Sequence, residues 1–399
     1  MKVLLFNTTY IEGSTGKIAT GLKNYLDLNS HKTMILFGQG IQDKDKNAYC
    51  ISSRLERRIS NFLGRLTGLN NCFSFFSTRK AIRNVKKFRP DVVFCGNLHG
   101  HYLNIFKLYR FLAKKKIRVI QTMWDEFPLT GSCSYPYECL KFESKCGDCP
   151  HLKDYPISLF FDTSRWLQKK TTYYYERMNI KFVAIPYTAR RAKLSSAIGN
   201  KVVVSLDEAV DQENLYYPRD VERLRAELGI SAEKKVILSV CVFSNPRKGG
   251  VYFLELAKKC VNYSDIVFVH VGFNADSSIC PPNYIPIGII NDQNVMAEYY
   301  SLCDLFVCPS LAETQPSTCL EALSCGAPIC GFNISGIPTC AEYPFGQFVD
   351  FADIDQLQKI VLTCEKRSSQ SQQRTVEYAK ARFSARNYYD KLFATMTDW

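Results

Sequence analysis

This chain of 399 residues has no apolar run of the roughly 18 to 20 residues that a membrane-spanning helix needs, which argues against an integral protein built from such helices. The apolar part of its start, Met1-Lys-Val-Leu-Leu-Phe-Asn7, is too short for a secretory signal, and no small-residue cleavage site follows. Low-complexity segments and short-period repeats are missing. The glycine loop Gly13-Ser-Thr-Gly16-Lys17 lacks the Gly-Lys-[Ser/Thr] ending of a Walker motif. No zinc-finger, RRM or OB pattern supports a nucleic-acid module. Acid is scarce in the first half: residues 1–205 hold 34 Lys/Arg against 14 Asp/Glu, a balance of +20. Residues 206–399 hold 17 against 24, or −7, which returns the +13 of the whole chain. Within residues 54–89 ten basic residues meet one acid, Glu56. Such asymmetry points to an anionic surface on one side only, membrane or nucleic acid.

What is present is globular. The chain is 46% hydrophobic and 22% charged, and its length favours two domains. Cysteines number 17, odd and scattered, as expected of free buried thiols in a reducing compartment. The expectation is a cytosolic protein.

Short apolar runs alternate with helical patterns. Strands are expected at 2–7, 33–37, 91–95, 118–123, 181–185 and 201–205, then at 235–241, 266–271, 305–308 and 328–332. Helices are expected at 17–29, 78–88, 102–115, 159–177 and 187–197, then at 248–262, 295–302 and 316–324. Alternation of this kind gives parallel sheets covered by helices on both faces. Two sets imply two doubly wound domains joined near residues 207–220, followed by a helical tail from Asp353. Phe383, Tyr388, Leu392 and Phe393 could form one apolar face of that tail.

Glu313 and Glu321 are the most informative pair. The run 305–308 reads as a buried strand, Pro309-Ser310 ends it, a loop carries Glu313, and Pro316 suits the first turn of the helix that carries Glu321. A strand's C-terminal end followed by a helix start is where open α/β sheets bind ligands and where free N–H groups meet an anion. Arg247-Lys248-Gly-Gly250 follows another strand; it reads either as a solvated basic turn or as cations for a diphosphate. Gly96-Asn-Leu-His99-Gly-His101-Tyr-Leu-Asn104 puts two histidines after a strand. Cys133, Cys139, Cys146 and Cys149 fall in a 17-residue window that at this composition expects fewer than one cysteine. A long irregular loop needs a staple, and four thiolates would hold a structural zinc; a disulfide or free thiols are the alternatives.

These motifs, in this order, resemble the retaining GT-B glycosyltransferases of family 4, of the bacterial surface-polysaccharide and colanic-acid type. The likeness implies two Rossmann-like domains facing a cleft: residues 1–206 for the acceptor, with a cysteine-rich loop at 131–150, and residues 207–380 for the nucleotide sugar. A C-terminal helix at 381–399 would pack back on the first domain. It implies that Glu321 takes the donor's ribose, that Glu313 contacts the transferred sugar, and that His99 contacts acceptor or sugar. Donor contacts would come from Gly13, Gly16, Arg247, Lys248, Thr314, Pro316, Ser317 and Thr318. The implied reaction transfers a hexosyl group from a UDP- or GDP-sugar to a lipid-linked or oligosaccharide acceptor, with retention. No catalytic metal is expected and no nucleic-acid partner. The protein would lie on the inner face of the cytoplasmic membrane, against its anionic surface. Three positions depart from the pattern: Val242 where relatives often have Arg, Trp124 where they often have His, and Asp207-Glu208 where Asn-Gly is usual. These departures also fit a second reading, a sugar-nucleotide-binding scaffold protein weakened in catalysis.

Overall fold

The computed structural model describes residues 1–40 and 45–399. The chain divides into one unit of Met1–Leu206 with Tyr389–Trp399, and a second of Asp207–Tyr388.

In the first unit the order is β1 (Lys2–Thr9), α1 (Gly13–Leu28), β2 (Lys32–Gln39), β3 (Ala48–Cys50), α2 (Arg54–Thr67), α3 (Phe75–Phe88), β4 (Val92–Cys95) and α4 (Ile105–Lys115). Then come β5 (Arg118–Met123), α5 (Ser164–Arg177), β6 (Asn179–Ala184), α6 (Pro186–Ala192) and β7 (Val203–Ser205). The seven strands pair in parallel in the order β3-β2-β1-β4-β5-β6-β7. Val3 to Phe6 of β1 are wholly buried, because a central parallel strand is covered on both faces and so reads as an unbroken apolar run.

The second unit holds α7 (Glu222–Glu227), β8 (Lys235–Val240), α8 (Gly250–Lys259), β9 (Ile266–Val271), β10 (Tyr284–Ile287), α9 (Gln293–Leu302) and β11 (Leu305–Cys308). It continues with α10 (Ser317–Ser324), β12 (Ile329–Phe332), β13 (Gly346–Val349), α11 (Ile354–Thr363) and α12 (Ser369–Phe383). The last helix, α13 (Ala385–Thr397), follows. Its strands are also parallel, in the order β10-β9-β8-β11-β12-β13. Alternate residues serve opposite faces. Val236, Leu238, Phe306 and Cys308 enter one core, and Ile237, Leu305 and Val307 the other.

Each sheet changes direction of strand order once, between β1 and β4 and between β8 and β11. The loops at the C-terminal ends of those strands flank a topological switch point, the usual ligand crevice of an open α/β sheet. The glycine loop, the histidine segment, the Arg247-Lys248 turn and the Glu313 loop follow these four strands, whereas the cysteine loop follows β5.

Several expectations shift. The strands β3, β10 and β13 were not expected. All three are edge strands, short and partly exposed, and β10 carries Pro286, so their patterns are weak. Helix α1 begins at Gly13 and not at Lys17, so the glycine loop is the helix's first turn. Pro316 is the N-cap of α10 and precedes its first turn. The four tail residues do not share one helix face: Phe383 closes α12 in the core of the second unit, whereas Leu392 is buried on α13. On α13 Phe393 stacks on His31, with ring centres 4.7 Å apart.

Helix α3 shows how a lone acid is used in a basic segment. Its own N-cap, Ser74, makes no capping bond. Glu56 supplies the cap from α2, accepting from the backbone N–H of Phe76 at 2.9 Å and of Ser77 at 3.1 Å. Removing it leaves those donors without their charged partner, so Glu56→Ala should destabilise the protein by roughly 1–2 kcal/mol. Urea unfolding of the variant against wild type measures this.

Candidate functional site

The loops after β8 and β11 are welded together. The Leu311 N–H donates to the Arg247 carbonyl at 2.8 Å, and Arg247 Nη1 donates to the Ala312 carbonyl at 2.5 Å. Gly249 lies at φ +67°, and a Cβ there would collide with the Pro309 carbonyl oxygen. From the third side, Gly336 donates its N–H to the Glu313 carbonyl at 2.7 Å, and a Cβ on it would strike the Thr314 carbonyl. Ser335 Oγ accepts from the Glu313 N–H at 2.9 Å.

This frame buries the Glu313 carboxylate against two cations. Lys248 Nζ lies 2.6 Å and Arg247 Nη1 3.0 Å from the same oxygen. Burial alone would raise its pKa. The charges and hydrogen bonds of Lys248 and Arg247 outweigh burial and hold it below the usual carboxylate range. Glu321 lies about one turn into α10, where Oε2 accepts from the Tyr300 hydroxyl at 2.7 Å and Tyr216 also bonds to it. Thr314 and Pro316 are buried in the loop between the two acids, and Ser317 and Thr318 are half-buried at the start of α10. The donor residues expected in this unit therefore cluster at one switch point.

One residue here carries no signal in the sequence. Gln315 donates to Asp207 Oδ1 at 2.7 Å and accepts from the Glu208 N–H at 2.7 Å. Asp207 is held in turn by Arg382 at 3.2 Å. Glu208 itself is buried, and its pKa is pushed up to about 8 by burial and then by the charges of Glu321 and Glu313. No motif flags Gln315, since an amide at a loop position has no spacing rule.

In the first unit the two candidate glycines differ. Gly13 is exposed with open space around it. Gly16 is buried, and a Cβ there would come within 2.9 Å of Thr9 Oγ1, so its smallness serves the packing of α1 on β1. His99 lies in the loop after β4 with both ring nitrogens engaged: Nε2 is 2.6 Å from Asp125 Oδ2, and Nδ1 is 3.0 Å from the Tyr155 hydroxyl. A carboxylate only accepts, so Nε2 donates and Nδ1 accepts from the tyrosine. No ring nitrogen is left for a sugar while these bonds stand. The geometry makes His99 a strut between the loop after β4 and two points of the segment that joins β5 to α5. His101 is buried as well, and burial followed by the charges of His99 and Arg65 lowers its pKa to about 4. Trp124 packs beside Gly96 and Phe94, filling space with its ring.

Cys133, Cys139, Cys146 and Cys149 do converge on one cavity, and all four are free thiols. Among the described residues no group of three or more His, Cys, Asp or Glu is placed to hold a metal ion. As arranged, these thiols do not fit a zinc site. Hydrogen bonds staple the loop instead. Gln168 accepts from the Cys146 N–H at 2.6 Å, Asp162 from the Cys149 N–H at 2.8 Å, and Lys141 Nζ donates to the Gly147 carbonyl at 3.0 Å.

Known proteins resemble this chain in sequence and in fold. Residues 220–382 match the family model of glycosyl transferases group 1. The chain is 20% identical over 373 residues to the putative colanic acid biosynthesis glycosyl transferase WcaC of Escherichia coli, covering 90% of this chain and 89% of that one. It is 25% identical over 256 residues to the alpha-galactosylglucosyldiacylglycerol synthase of Streptococcus pneumoniae, covering 58% and 67% respectively. A crystal structure of Anabaena Alr3699/HepE in complex with UDP superposes with a TM-score of 0.72 at 13% identity, over 100% of both chains.

The chain is a glycosyltransferase enzyme of GT-B fold.

The matched region of this glycosyltransferase contains Arg247, Lys248, Glu313 and Glu321. Two measurements probe its ion cluster. Gly336→Ala pushes a methyl group into the loop that carries Glu313, and should lower stability by roughly 1–3 kcal/mol, read by thermal unfolding. A carboxyl with a depressed pKa contributes stability that is present above its unfolded value, roughly pH 4.3, and lost as pH falls through the folded value. Wild type should therefore lose stability on acidification below that pH, and Glu313→Gln should flatten this part of the profile.

Proposed function

We propose that the protein moves a hexosyl group from a UDP- or GDP-sugar to an oligosaccharide acceptor, lipid-linked in the cell, with retention at the anomeric carbon. The observation that carries this reading is the buried Glu313 carboxylate shared by Arg247 and Lys248 at a switch point, one loop before a helix start. Cations and free N–H groups suit a diphosphate, and carboxylates suit sugar hydroxyls. UDP in the Anabaena protein, and UDP-glucose in a further structure of it, support a nucleotide-sugar donor.

The roles follow from charge. As the bond between the anomeric carbon and the phosphate oxygen breaks, negative charge grows on the diphosphate. Arg247 and Lys248 stabilise it. The acceptor hydroxyl oxygen bonds to the anomeric carbon on the face that the phosphate leaves, and its proton passes to a phosphate oxygen. Glu313, kept ionised by its cations, stabilises positive charge at the sugar. Glu321, oriented by Tyr300, accepts from the ribose hydroxyls. The side chains carry the leaving-group charge, so this scheme calls for no catalytic metal.

Screening UDP- and GDP-sugars by thermal shift should find one that raises the melting temperature, because a ligand bound only by the folded state stabilises it. Glu321→Ala should weaken that ligand by about ten-fold or more, the cost of a lost charged hydrogen bond. Arg247→Ala with Lys248→Ala should cut turnover by about a hundred-fold or more. If no nucleotide sugar binds and Glu321→Ala changes nothing, the reading fails.

The lipid-linked acceptor rests on a second observation. Leu55, Ile59 and Phe62 follow helical spacing along α2 yet are 68%, 50% and 61% exposed, and Phe76 at the start of α3 is 82% exposed. The buried side of α2 is only Ser60 and Gly64. An apolar row turned outward among arginines suits an anionic bilayer surface, whereas nucleic acid would use only the charges. We place the protein at the cytoplasmic face of the membrane on this ground. Vesicles containing phosphatidylglycerol should sediment wild type, and Leu55→Ser/Ile59→Ser/Phe62→Ser should reduce binding by about ten-fold or more. Equal binding by the triple variant would remove the membrane assignment.

A further inference from the structure

Leu159, Phe160 and Phe161 stand in a row on the surface of the first unit, 43%, 70% and 60% exposed. Consecutive large apolar side chains turned to water are a fault in a soluble fold unless they serve an interaction. The segment is not slack. The Leu159 N–H donates to the Arg65 carbonyl at 2.8 Å, and the Leu159 carbonyl accepts from Lys153 Nζ at 3.0 Å. The Phe161 carbonyl accepts from Ser158 Oγ at 2.6 Å, and Thr163 Oγ1 donates to the Gly68 carbonyl at 2.7 Å. Gly68 ends α2 at φ +74°, and a Cβ on it would lie 2.4 Å from the Phe161 carbonyl oxygen. These bonds satisfy the backbone, pin the segment to the C-terminal end of α2, and leave both phenylalanine side chains exposed.

The other end of α2 is built in the same way. Glu56, in its first turn, holds the backbone of Phe76 and Ser77. Phe75 and Phe76 are exposed there. Between the two aromatic pairs runs the outward row Leu55, Ile59 and Phe62, along a helix of 14 residues, about 21 Å long.

We infer that Leu159-Phe160-Phe161 is a membrane-inserting loop that, with Phe75-Phe76 at the opposite end, lays α2 flat in the headgroup layer of an anionic bilayer. The inference rests on the membrane reading of α2 above. It adds an anchor from a distant part of the chain, and an orientation.

Charge selects a bilayer over a protein partner. The core of a protein interface is depleted of charge, whereas an interfacial helix mixes bases with its apolar row. Here Arg54, Arg58 and Arg65 are exposed on α2 and Lys153 is bonded to the loop. The acids beside the loop are engaged. Asp162 accepts from the Cys149 N–H at 2.8 Å and the Ser164 N–H at 2.9 Å, and Asp154 pairs with His151 at 2.9 Å. The placement also suits a lipid-linked acceptor. Tyr155, whose hydroxyl bonds to His99 in the loop after β4, is four residues from Leu159, at most about 14 Å of extended chain. The crevice end of the first sheet is thus within reach of the lipid surface.

The test is sedimentation of the full chain with vesicles of mixed phosphatidylglycerol and phosphatidylcholine, and of phosphatidylcholine alone. Wild type should bind the anionic vesicles about ten-fold or more tightly than the neutral ones. Phe160→Ser/Phe161→Ser should weaken binding to the anionic vesicles by about ten-fold or more. Phe160→Trp gives a second reading that needs no loss of function. Its added emission, taken as the difference from wild type with its three tryptophans, should shift to the blue on vesicles. Lipids brominated along the acyl chain should quench it. If wild type sediments but the double serine variant binds equally, or the Phe160→Trp emission is neither shifted nor quenched, the inference is overturned and the assignment of α2 to the membrane stands. Equal wild-type binding to neutral vesicles overturns the anionic bilayer as partner. If wild type binds neither kind of vesicle, both readings are overturned.

Discussion

One buried carboxylate between two cations organises the second unit. Glu313 is tolerable in an enclosed position only because Arg247 and Lys248 reach the same oxygen. Those cations come from the loop after β8, and the carboxylate comes from the loop after β11. The ion cluster therefore demands that the two loops touch. Gly249 makes the touch sterically feasible where a side chain would meet the Pro309 carbonyl, and Gly336 lets the loop after β12 close on the Thr314 carbonyl from the third side. Backbone bonds between Leu311 and Arg247, and between Gly336 and Glu313, then remove the remaining slack. Preorganisation of this kind lets charged groups meet a developing phosphate charge with little rearrangement.

The same principle, local satisfaction of polar groups, separates residues that face a ligand from residues that hold the fold. His99 has motif-like surroundings, yet Asp125 and Tyr155 occupy both of its nitrogens. Gly16 sits in a loop that resembles a phosphate cradle, yet its missing side chain accommodates Thr9. Gln315 belongs to no motif, yet it holds both Asp207 and the Glu208 backbone. Residue type and spacing nominate candidates; the hydrogen-bond ledger sorts them.

Much of the fold was legible because parallel strands are apolar runs and their helices are periodic. The runs at Val3–Phe6 and Leu305–Cys308 needed only hydrophobicity to be recognised. Edge strands β3, β10 and β13 escaped because one open edge lowers the need for apolar residues. The four-cysteine window was also visible in sequence. Its spacing suggested a metal, whereas the described side chains share a cavity without metal-binding placement, and hydrogen bonds do the stapling.

Local order along the chain was enough to establish alternating strands and helices, the two carboxylates flanking a helix start, and the basic pair after an earlier strand. These depend on neighbours in sequence, and each leaves a pattern of period, cap or charge. Strand order does not. Placing β8 beside β11, 64 residues or more apart along the chain, is a choice among sheet topologies, made by packing across both faces at once. Only that choice brings Arg247 and Lys248 onto Glu313. A carboxyl's protonation depends on which charges surround it in space, so the state of Glu313 and of Glu208 could be decided only after the chain had folded.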